Sequence, residues 1–145
     1  MKIVLQRVSR ASVTVNSNII GEIGKGYVVL LGIGADDNKA KTEKIIDKIQ
    51  KLRLFPDENG KTNLSITDVD GEILVISQFT LYADCAKGNR PSFINAADPE
   101  LAKELYEYFI KYSNDKFHKV QHGIFGALMD VELINEGPFT VILED

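Results

Sequence analysis

Alternating hydrophobic and polar positions run through the first third of the chain and predict β-strands. Residues 3–8 alternate with a period of two, and the pattern resumes over 13–15. This period places successive side chains on opposite faces of a strand. Polar residues at 16–18 predict a turn into a short strand over 19–23. The apolar run 27–33 predicts a buried strand.

Two later segments have the spacing of amphipathic helices. The first spans about residues 38–52, with Asp36 or Asp37 as its cap and a core face formed by Ile45, Ile46, Ile49 and Leu52. The second begins at Asp98-Pro99-Glu100, where a capping residue precedes a proline and an acidic residue. Its predicted buried stripe comprises Leu101, Leu105, Tyr108, Phe109 and Tyr112.

Loops and short strands are predicted for the rest of the chain. In chain order they are a turn at 56–60, a hairpin-type turn at Asp70-Gly71, a buried strand over 72–78, a loop over 84–97 and, from about Phe117, two or three strands that include 129–133 and 140–143. The elements together indicate a mostly β domain of the α+β class with two main helices. The length predicts that residues 1–145 form one domain.

The charge of the whole chain does not favour a polyanionic partner. With 17 Lys and Arg against 21 Asp and Glu, the formal net charge is −4. Residues 39–53 differ, because 6 basic and 2 acidic side chains give 6 − 2 = +4, and a helix would place Lys41, Lys44, Lys48 and Lys51 on one face. A solvated face is the favoured interpretation, and an RNA-binding face is the alternative.

Composition also bears on where the protein works. The chain is 44% hydrophobic and 26% charged, which is typical of a soluble globular protein. It has no run of about 18 apolar residues that would predict a membrane span. Residues 1–7 become polar too early for a signal peptide. Cys85 is the only cysteine, so no disulfide can form within the chain. We therefore expect a cytoplasmic protein.

Common catalytic motifs are absent from the sequence. Gly32-x-Gly34 is only a fragment of a phosphate-binding glycine loop and fits a turn at a strand end better. His118 and His122 are four residues apart in a segment predicted as strand and loop, so structural or surface histidines are favoured over metal ligands. No Gly-x-Ser-x-Gly motif is present, and a catalytic triad is poorly supported. We expect no metal and no cofactor.

The first unusual feature is the polar end of an apolar strand, within residues 77–84. In a continued strand, Gln78 and Thr80 would share one face. Ser77 and Phe79 would share the other. Gln78 and Thr80 could hydrogen-bond a carbonyl or an RNA hydroxyl, and the backbone N–H groups of Phe79 and Thr80 could stabilise an oxyanion. The alternative is a strand end whose polar groups satisfy the following turn.

The second unusual feature is Gly137-Pro138, inside a segment that is otherwise predicted as strand. Proline lacks the N–H group that a sheet ladder uses. A hairpin turn or bulge with a trans peptide bond explains this most simply. A cis bond is the alternative, because the cis form costs an X–Pro bond only about 0.5–1 kcal/mol.

These two runs, Ser77–Asp84 and Asn135–Thr140, resemble the two signature motifs of the D-aminoacyl-tRNA deacylases. Further similar segments are the opening Met1-x-x-Val4-x-Gln6-Arg7-Val8, the loop Gly88-x-Arg90-Pro91-Ser92-Phe93 and Gly123-x-Phe125-Gly126-Ala127-x-Met129. The resemblance covers essentially the whole chain. One departure is Phe139, where the family usually has valine.

The resemblance implies a fold, an assembly and an activity. Members have a small mixed, barrel-like β-sheet domain and act as homodimers. They hydrolyse the ester that joins a D-amino acid, or glycine, to tRNA, which is a proofreading step in translation quality control. By this resemblance, Gly137 and Pro138 form a Gly-cis-Pro filter that reaches into the partner's active site and excludes L side chains. Arg7 resembles the residue that orients this segment.

The resemblance also assigns residues to the substrate. Ser77, Gln78, Phe79 and Thr80 would surround the ester and the terminal adenosine, and Phe125 and Met129 would contact that nucleotide. In the favoured mechanism the ribose 2′-OH of the tRNA helps to activate water, while the protein positions the ester and binds the oxyanion. A nucleophilic Thr80 is the alternative, and it is less favoured because no base to deprotonate it is evident.

Two other functions stay open. One is a non-catalytic RNA-binding module on the same scaffold that uses the lysines of residues 39–53, and it would bind tRNA with strong salt dependence but no turnover. The other is an esterase for small D-amino acid esters, which would act without any RNA.

Overall fold

A mixed, curved β-sheet packs against two helices in the computed structural model, which describes residues 1–145. The strands and helices in chain order are β1 (Lys2–Val15), β2 (Asn18–Ile23), β3 (Gly26–Gly32), α1 (Lys39–Lys51), β4 (Phe55–Pro56), β5 (Thr62–Leu64), β6 (Glu72–Ser77), α2 (Pro99–Ser113), β7 (Lys119–His122) and β8 (Asp130–Glu144). Short 3₁₀ turns occupy Thr67–Val69 and Phe79–Tyr82. The predicted α+β class with two main helices is confirmed.

The main sheet has six strands, in the order β2-β1-β3-β6-β7, with β8 pairing with β1. β1 is antiparallel to β2, β3 and β8, whereas β6 is parallel to both β3 and β7. β2 also approaches β7, since the carbonyl oxygen of His122 lies 3.3 Å from the position that a Cβ on Gly21 would occupy. The sheet therefore curls almost into a barrel.

Hydrophobic side chains fill both faces of this sheet. The larger cluster joins the sheet to both helices, and the smaller cluster contains strand residues only. β6 contributes to both, with Ile73 and Val75 in the larger cluster and Leu74 and Ile76 in the smaller one. A strand buried on both faces gives a continuous apolar run rather than an alternating one. This burial explains why β3 and β6 were the clearest strands in the sequence.

The predicted cap of the first helix is wrong. Asn38 caps α1, because its side chain accepts the Lys41 N–H at 3.1 Å. Asp37 is buried instead, and its carboxylate accepts the Gly34 N–H at 2.7 Å and the α-amino group of Met1 at 2.7 Å. Asp37 thus ties the end of β3 to the start of β1, which is a tertiary contact that local helix signals do not reveal.

The predicted hairpin at Asp70-Gly71 is also wrong. Asp70 ends a 3₁₀ turn in the left-handed conformation, with φ 49°, and the following strand β6 pairs in parallel with its neighbours. The short hairpin of β4 and β5 was missed. The final strands predicted over 129–133 and 140–143 are parts of one long strand, β8, which a bulge interrupts.

Neither helix is long and apolar enough to cross a membrane.

α2 begins as predicted, with the Asp98 side chain accepting the N–H groups of Glu100 and Leu101. Its buried stripe is shifted, however, and comprises Ala102, Leu105, Tyr106, Phe109 and Ser113. The predicted Tyr108 and Tyr112 are only half-buried and stack on each other with ring centres 6.2 Å apart. Both sets satisfy helical spacing, so the periodicity alone could not choose between them.

Candidate functional site

A cavity of about 550 Å³ lies beyond the carboxyl ends of the parallel strands β3 and β6, beside the first turn of α2. Its lining is almost entirely apolar. Ser77 and Gln78 are the only polar residues among the lining residues. A mainly apolar cavity with a few polar groups at one edge is the usual character of a small-molecule or nucleotide site.

The polar edge of the cavity is a sharp turn rather than a continued strand. β6 ends at Ser77, and Phe79–Tyr82 form a 3₁₀ turn, so the predicted alternation of faces beyond Ser77 is wrong. Gln78 and Thr80 nevertheless meet, because Gln78 Nε2 donates to Thr80 Oγ1 at 2.5 Å. The backbone N–H of Gln78 donates to the Leu31 carbonyl at 2.7 Å, which fixes the turn to the end of β3.

The start of this turn offers backbone donors. The first N–H groups of a helical turn have no acceptor within the turn, and here these groups belong to Phe79 and Thr80. No side chain caps the turn. The two N–H groups therefore stand at the cavity edge as candidate donors to an anionic oxygen.

Glycine at the end of β3 lets the turn pack closely against the sheet. A Cβ on Gly34 would lie 2.6 Å from the hydroxyl oxygen of Tyr82, so no larger residue fits without moving this ring. The predicted strand-end role of Gly32-x-Gly34 agrees with β3 ending at Gly32. Burial, together with the negative charges of Asp37 and Glu144, raises the pKa of Tyr82 to about 12.

The opposite wall of the cavity contains Phe125 and Met129. The ring of Tyr106 packs against Phe125, with ring centres 5.8 Å apart. Its hydroxyl lies 3.0 Å from the carbonyl oxygen of Val75 and 3.1 Å from that of Gly123, so it donates to this pair of acceptors. Tyr106 thus holds the wall against β6. Sequence reasoning missed it, although an alternative helical stripe through Leu105 and Phe109 includes it.

The second candidate run forms a bulge in β8. Thr140 lies opposite Gln6 and Asn135 lies opposite Val8, so four residues of β8 loop out between the paired positions. The peptide bond between Gly137 and Pro138 is cis, and Gly137 has φ 130°. L-residues with side chains rarely adopt this φ, which explains the glycine. Gly137 and Pro138 are both exposed.

Arg7 supports the bulge from the neighbouring strand. Its Nε donates to the Glu136 carbonyl oxygen at 3.2 Å, and its Nη1 donates to the Leu54 carbonyl oxygen at 2.5 Å. The guanidinium carbon lies 4.8 Å from the ring centre of Phe139, close enough for a cation–π contact. Phe139 is the position at which the sequence departs from its resemblance, and here its ring covers Arg7.

Asn135 closes the base of the bulge. Its Oδ1 accepts the backbone N–H of Phe139 at 2.9 Å, and its Nδ2 donates to Thr140 Oγ1 at 2.8 Å. One side chain therefore joins both ends of the looped-out segment. The sequence contained Asn135 in the quoted run, but nothing in the strand pattern indicated this role.

The structure brings together some predicted site residues and separates others. Ser77, Gln78, Phe79, Phe125 and Met129 all line the cavity, and Thr80 is bonded to Gln78 at its edge. Gly137 and Pro138 lie in the bulge, which Arg7 supports from β1, and none of the three lines the cavity of the same chain.

The lysines of α1 are partly neutralised. Three of them pair with carboxylates: Lys39 with Glu104, Lys41 with Asp37 and Lys44 with Asp145. Glu43 and Asp47 interleave with the lysines over a shallow depression on this helix. These acids support the favoured interpretation of a solvated face.

No group of three or more His, Cys, Asp or Glu side chains is arranged to hold a metal ion. Of the two histidines, His122 lies on β7 with Nδ1 2.9 Å from the carbonyl oxygen of Gly123. Neither histidine is among the residues that line the cavity.

Comparison with known proteins identifies relatives along the whole chain. The family model described as D-Tyr-tRNA(Tyr) deacylase matches residues 4–144. Proteins named D-aminoacyl-tRNA deacylase from Clostridioides difficile (strain 630) and Koribacter versatilis (strain Ellin345) are 56% and 54% identical, each over 99% of this chain and 97% of the relative. A solved structure named c-Myc DNA Unwinding Element Binding Protein is 43% identical, with a TM-score of 0.94 over 100% of this chain and 99% of its own.

Proposed function

Because the chain belongs to the D-Tyr-tRNA(Tyr) deacylase family, we propose that it hydrolyses the ester bond of D-aminoacyl-tRNA and releases the free D-amino acid and tRNA. The activity class is that of a D-aminoacyl-tRNA deacylase, a hydrolase of carboxylic ester bonds. The observation that best supports this proposal is the cavity edge at residues 77–80, where the hydrogen bond between Gln78 and Thr80 adjoins a turn that no side chain caps.

The apolar cavity accepts the terminal adenosine, with Phe125 and Met129 against the nucleotide. Base faces bind well to aromatic and apolar side chains, and an unpaired 3′ end can enter such a cavity. This places the ester at the polar edge of the cavity. The N–H groups of Phe79 and Thr80 then donate to the carbonyl oxygen as it becomes negatively charged.

Water attacks the ester carbonyl, and the bond to the ribose 3′-oxygen breaks. A proton from the water passes to that oxygen with the help of the neighbouring 2′-OH, so the tRNA takes part in its own release. What supports this route is the environment of Thr80. Its Oγ1 accepts a hydrogen bond from an amide N–H of Gln78, and an amide cannot remove the proton that a nucleophilic threonine must lose.

Thr80→Ala distinguishes the two mechanisms. Retained turnover supports the RNA-assisted route, whereas near-complete loss supports a nucleophilic threonine. The matched test from the substrate side replaces the terminal ribose 2′-OH by hydrogen. Full hydrolysis of that substrate would count against assistance by the RNA.

We propose that Gly137 and Pro138 reject L-aminoacyl esters by exclusion and act on the active site of a partner subunit. Two features support this assignment. The bulge is exposed and rigidly supported by Arg7 and Asn135, and it lies outside the cavity of its own chain. An excluding surface made of backbone leaves room for a D-amino acid or glycine but not for an L side chain.

The homodimer is supported by the surface of β8. This strand pairs only with β1, so its outer edge is free, and Ile134 and Ile142 on it are 47% and 69% exposed. A long free edge with exposed hydrophobic side chains is a surface that proteins normally cover. Light scattering at assay concentration tests the assembly, and an active, strictly monomeric protein would refute it.

Mixing two inactive variants tests whether the site is shared. A heterodimer of Gln78→Ala and Pro138→Ala subunits contains one site in which both Gln78 and the partner's Pro138 are intact. We expect activity to return when the two variants are unfolded, mixed and refolded together. If both residues served the same chain's site, no mixture would regain activity.

Deacylation of paired D-Tyr-tRNA and L-Tyr-tRNA by the purified protein is the decisive experiment. Loss of the D-ester alone would support both the activity and the chiral filter. Loss of both esters would keep the hydrolase but remove the filter, and loss of neither by a folded protein would refute the proposed function.

A further inference from the structure

The loop between β6 and α2 borders the cavity and is fixed at both ends. Asp84 and Ser92 exchange backbone hydrogen bonds of 2.8 and 2.9 Å, which closes a tip formed by residues 85–91. Further along, the Ala97 N–H donates to the Ile33 carbonyl oxygen at 2.9 Å. The cavity lining includes Ala97. The loop therefore projects from the rim of the cavity, and its tip residues are all exposed.

The tip of this loop carries positive charge, and the two acids that flank it, Asp84 and Asp98, accept nearby backbone N–H groups. Residues 85–97 include Lys87 and Arg90 but no Asp or Glu. Neither cation takes part in any of the ion pairs of the protein. The contrast with the paired lysines of α1 matters, because the chain as a whole is negative by 4 charges. A polyanion that approaches the cavity meets unpaired positive charge at this rim.

An aromatic side chain of the same loop contacts the cavity lining. Phe93 contacts Phe79 edge-on, with ring centres 5.0 Å apart and an interplanar angle of 65°. Phe93 is 37% exposed and Phe79 is 57% exposed, and Phe79 lines the cavity. Exposed aromatic rings beside unpaired cations characterise surfaces that bind single-stranded nucleic acid, because rings stack on bases while cations contact phosphates.

We propose that residues 85–93 bind the unpaired nucleotides that precede the terminal adenosine, with Lys87 and Arg90 at the phosphates and Phe93 stacked on a base. The proposal rests on the proposed function, since an adenosine in the cavity requires the preceding strand to leave across the rim. The Cα atoms of Lys87 and Arg90 lie within about 11 Å of the Asp84–Ser92 bridge, because each is at most three residues from it and a chain extends at most about 3.6 Å per residue. Both cations therefore stay close to the strand as it leaves.

The test compares a long and a short substrate. D-Tyr-tRNA carries the preceding nucleotides, whereas D-tyrosyl adenosine contains only the part that enters the cavity. The variants are Lys87→Ala/Arg90→Ala and Phe93→Ala. The matched control is Lys61→Ala/Lys111→Ala, which removes the same charge from exposed lysines that form no ion pair and lie outside the cavity.

We expect the Lys87→Ala/Arg90→Ala variant to raise KM for D-Tyr-tRNA by about tenfold and to lower the salt dependence of kcat/KM. Each phosphate contact on a single strand contributes about 0.7 to the log–log salt slope, so the slope should fall by about 1.4. Phe93→Ala should raise KM roughly fivefold or more through the lost stack. The rate on D-tyrosyl adenosine should stay at the wild-type value in both variants, and the control should change neither substrate.

Three outcomes would overturn the proposal. They are an unchanged salt slope, an equal loss on both substrates, and a loss of activity that coincides with dissociation of the dimer in light scattering. The last outcome would assign the loop to a second copy of the chain instead of RNA.

A wild-type protein that hydrolyses neither substrate would refute the proposed function but not decide the role of the loop. Filter binding of uncharged tRNA then tests the loop alone. Weaker binding by the Lys87→Ala/Arg90→Ala variant than by the control would support the RNA contact, and equal binding would refute it.

Discussion

The cavity and the bulge of β8 are built in opposite ways. The cavity is apolar and has walls from three strands, the first turn of α2 and residues 125–129. Gly137 and Pro138 in the bulge are exposed, and the bulge depends on hydrogen bonds that the side chains of Arg7 and Asn135 make. A buried apolar site can adapt to small changes by repacking, whereas a hydrogen-bonded loop loses a defined contact with each side chain removed.

This difference indicates that the cavity and the bulge have different roles. Apolar walls bind a base through contact area, and they do not distinguish one chirality at a distant α-carbon. An exposed backbone held in a fixed conformation provides little binding area, but it can exclude a group that would occupy the same space. We therefore expect changes at the cavity edge, and removal of Pro138 itself, to lower the rate. Changes to the side chains that only support the bulge should lower the selectivity.

The largest effect should come from the polar edge of the cavity. Gln78→Ala removes the partner of Thr80 and, in the proposed complex, a polar group beside the ester. We expect single-turnover deacylation of D-Tyr-tRNA to fall by about 10²-fold or more, the scale seen when one group that stabilises an oxyanion is lost. Gln121→Ala, on β7 and outside the cavity lining, is the control. Wild-type turnover in Gln78→Ala would remove this residue from the site.

Loosening the bulge should affect selectivity next. Asn135→Ala removes the hydrogen bonds to Phe139 and Thr140, and each such bond contributes roughly 0.5–1.5 kcal/mol. We expect the ratio of kcat/KM for D-Tyr-tRNA over L-Tyr-tRNA to fall by about tenfold, since two bonds of this size correspond to that factor or more. Asn135→Asp keeps the acceptor for the Phe139 N–H, so its selectivity ratio should lie between those of the wild type and Asn135→Ala. An unchanged ratio with a lower melting temperature would make Asn135 purely structural.

A smaller change of the same kind is expected at Phe139. Phe139→Val removes the ring that covers the Arg7 guanidinium at 4.8 Å, a contact worth about 0.5–1 kcal/mol where it is exposed. The selectivity ratio should therefore change by roughly fivefold or less. Comparing the melting temperatures of Phe139→Val and Phe139→Leu separates the loss of the ring from the loss of apolar volume. A tenfold or larger loss of selectivity would show that the ring does more than cover Arg7.

The smallest effect should be a loss of stability that appears only at alkaline pH and involves Tyr82, in the turn beside the cavity. The pKa of Tyr82 is raised to about 12, chiefly by burial, so the folded state disfavours the phenolate. Its contribution to stability is complete below pH 10 and is lost as the pH rises towards 12. The urea midpoint should hold to about pH 9.5 and fall above pH 10. Tyr82→Phe should reduce that fall without abolishing it, because burial also raises the pKa of Tyr27 and Tyr106.

The bulge offers the control for this pH dependence, since residues 135–140 contain no tyrosine. Asn135→Ala should lower the urea midpoint by the same amount at pH 8 and pH 11. A difference that grows with pH would mean that the bulge and the cavity-side tyrosines are coupled.

Local signals predicted the parts of the fold that local physics controls. The buried strands β3 and β6 followed from their apolar runs, and α2 followed from the Asp98-Pro99 start. The prediction that Asp37 caps α1 was wrong. Its carboxylate is buried against Gly34 and Met1, and the contact with Met1 joins segments that are distant in the sequence. Helical spacing allowed two stripes for α2, and only the position of Val75 and Gly123 selects Tyr106.

The candidate site was less predictable from pattern than the fold. The polar run at 77–80 was visible, but the turn that replaces the strand depends on the close approach of Tyr82 to Gly34. Gln78 and Thr80 were expected to share one face of a strand, but it is the turn that brings their side chains into a hydrogen bond. The sequence did not reveal that Asn135 closes the bulge, because its partners Phe139 and Thr140 come within reach only when the strand loops out.

The number of looped-out residues determines how β8 stays in register with β1 on both sides of the bulge. From Gln6 to Val8, β1 advances two positions, while β8 advances five from Asn135 to Thr140, so the surplus is 5 − 2 = 3. Directly paired residues of neighbouring strands lie on the same face, so Asn135 and Thr140 share the face of Val8 and Gln6. Five alternating positions would place them on opposite faces, so the looped-out residues absorb the odd step. If one residue of the loop were deleted and the loop kept its shape, the following part of β8 would slip by one position against β1, which inverts the faces of its side chains. Val141 and Leu143, which pack against the larger cluster, would then turn away from it, so the length of this loop is constrained as well as its composition.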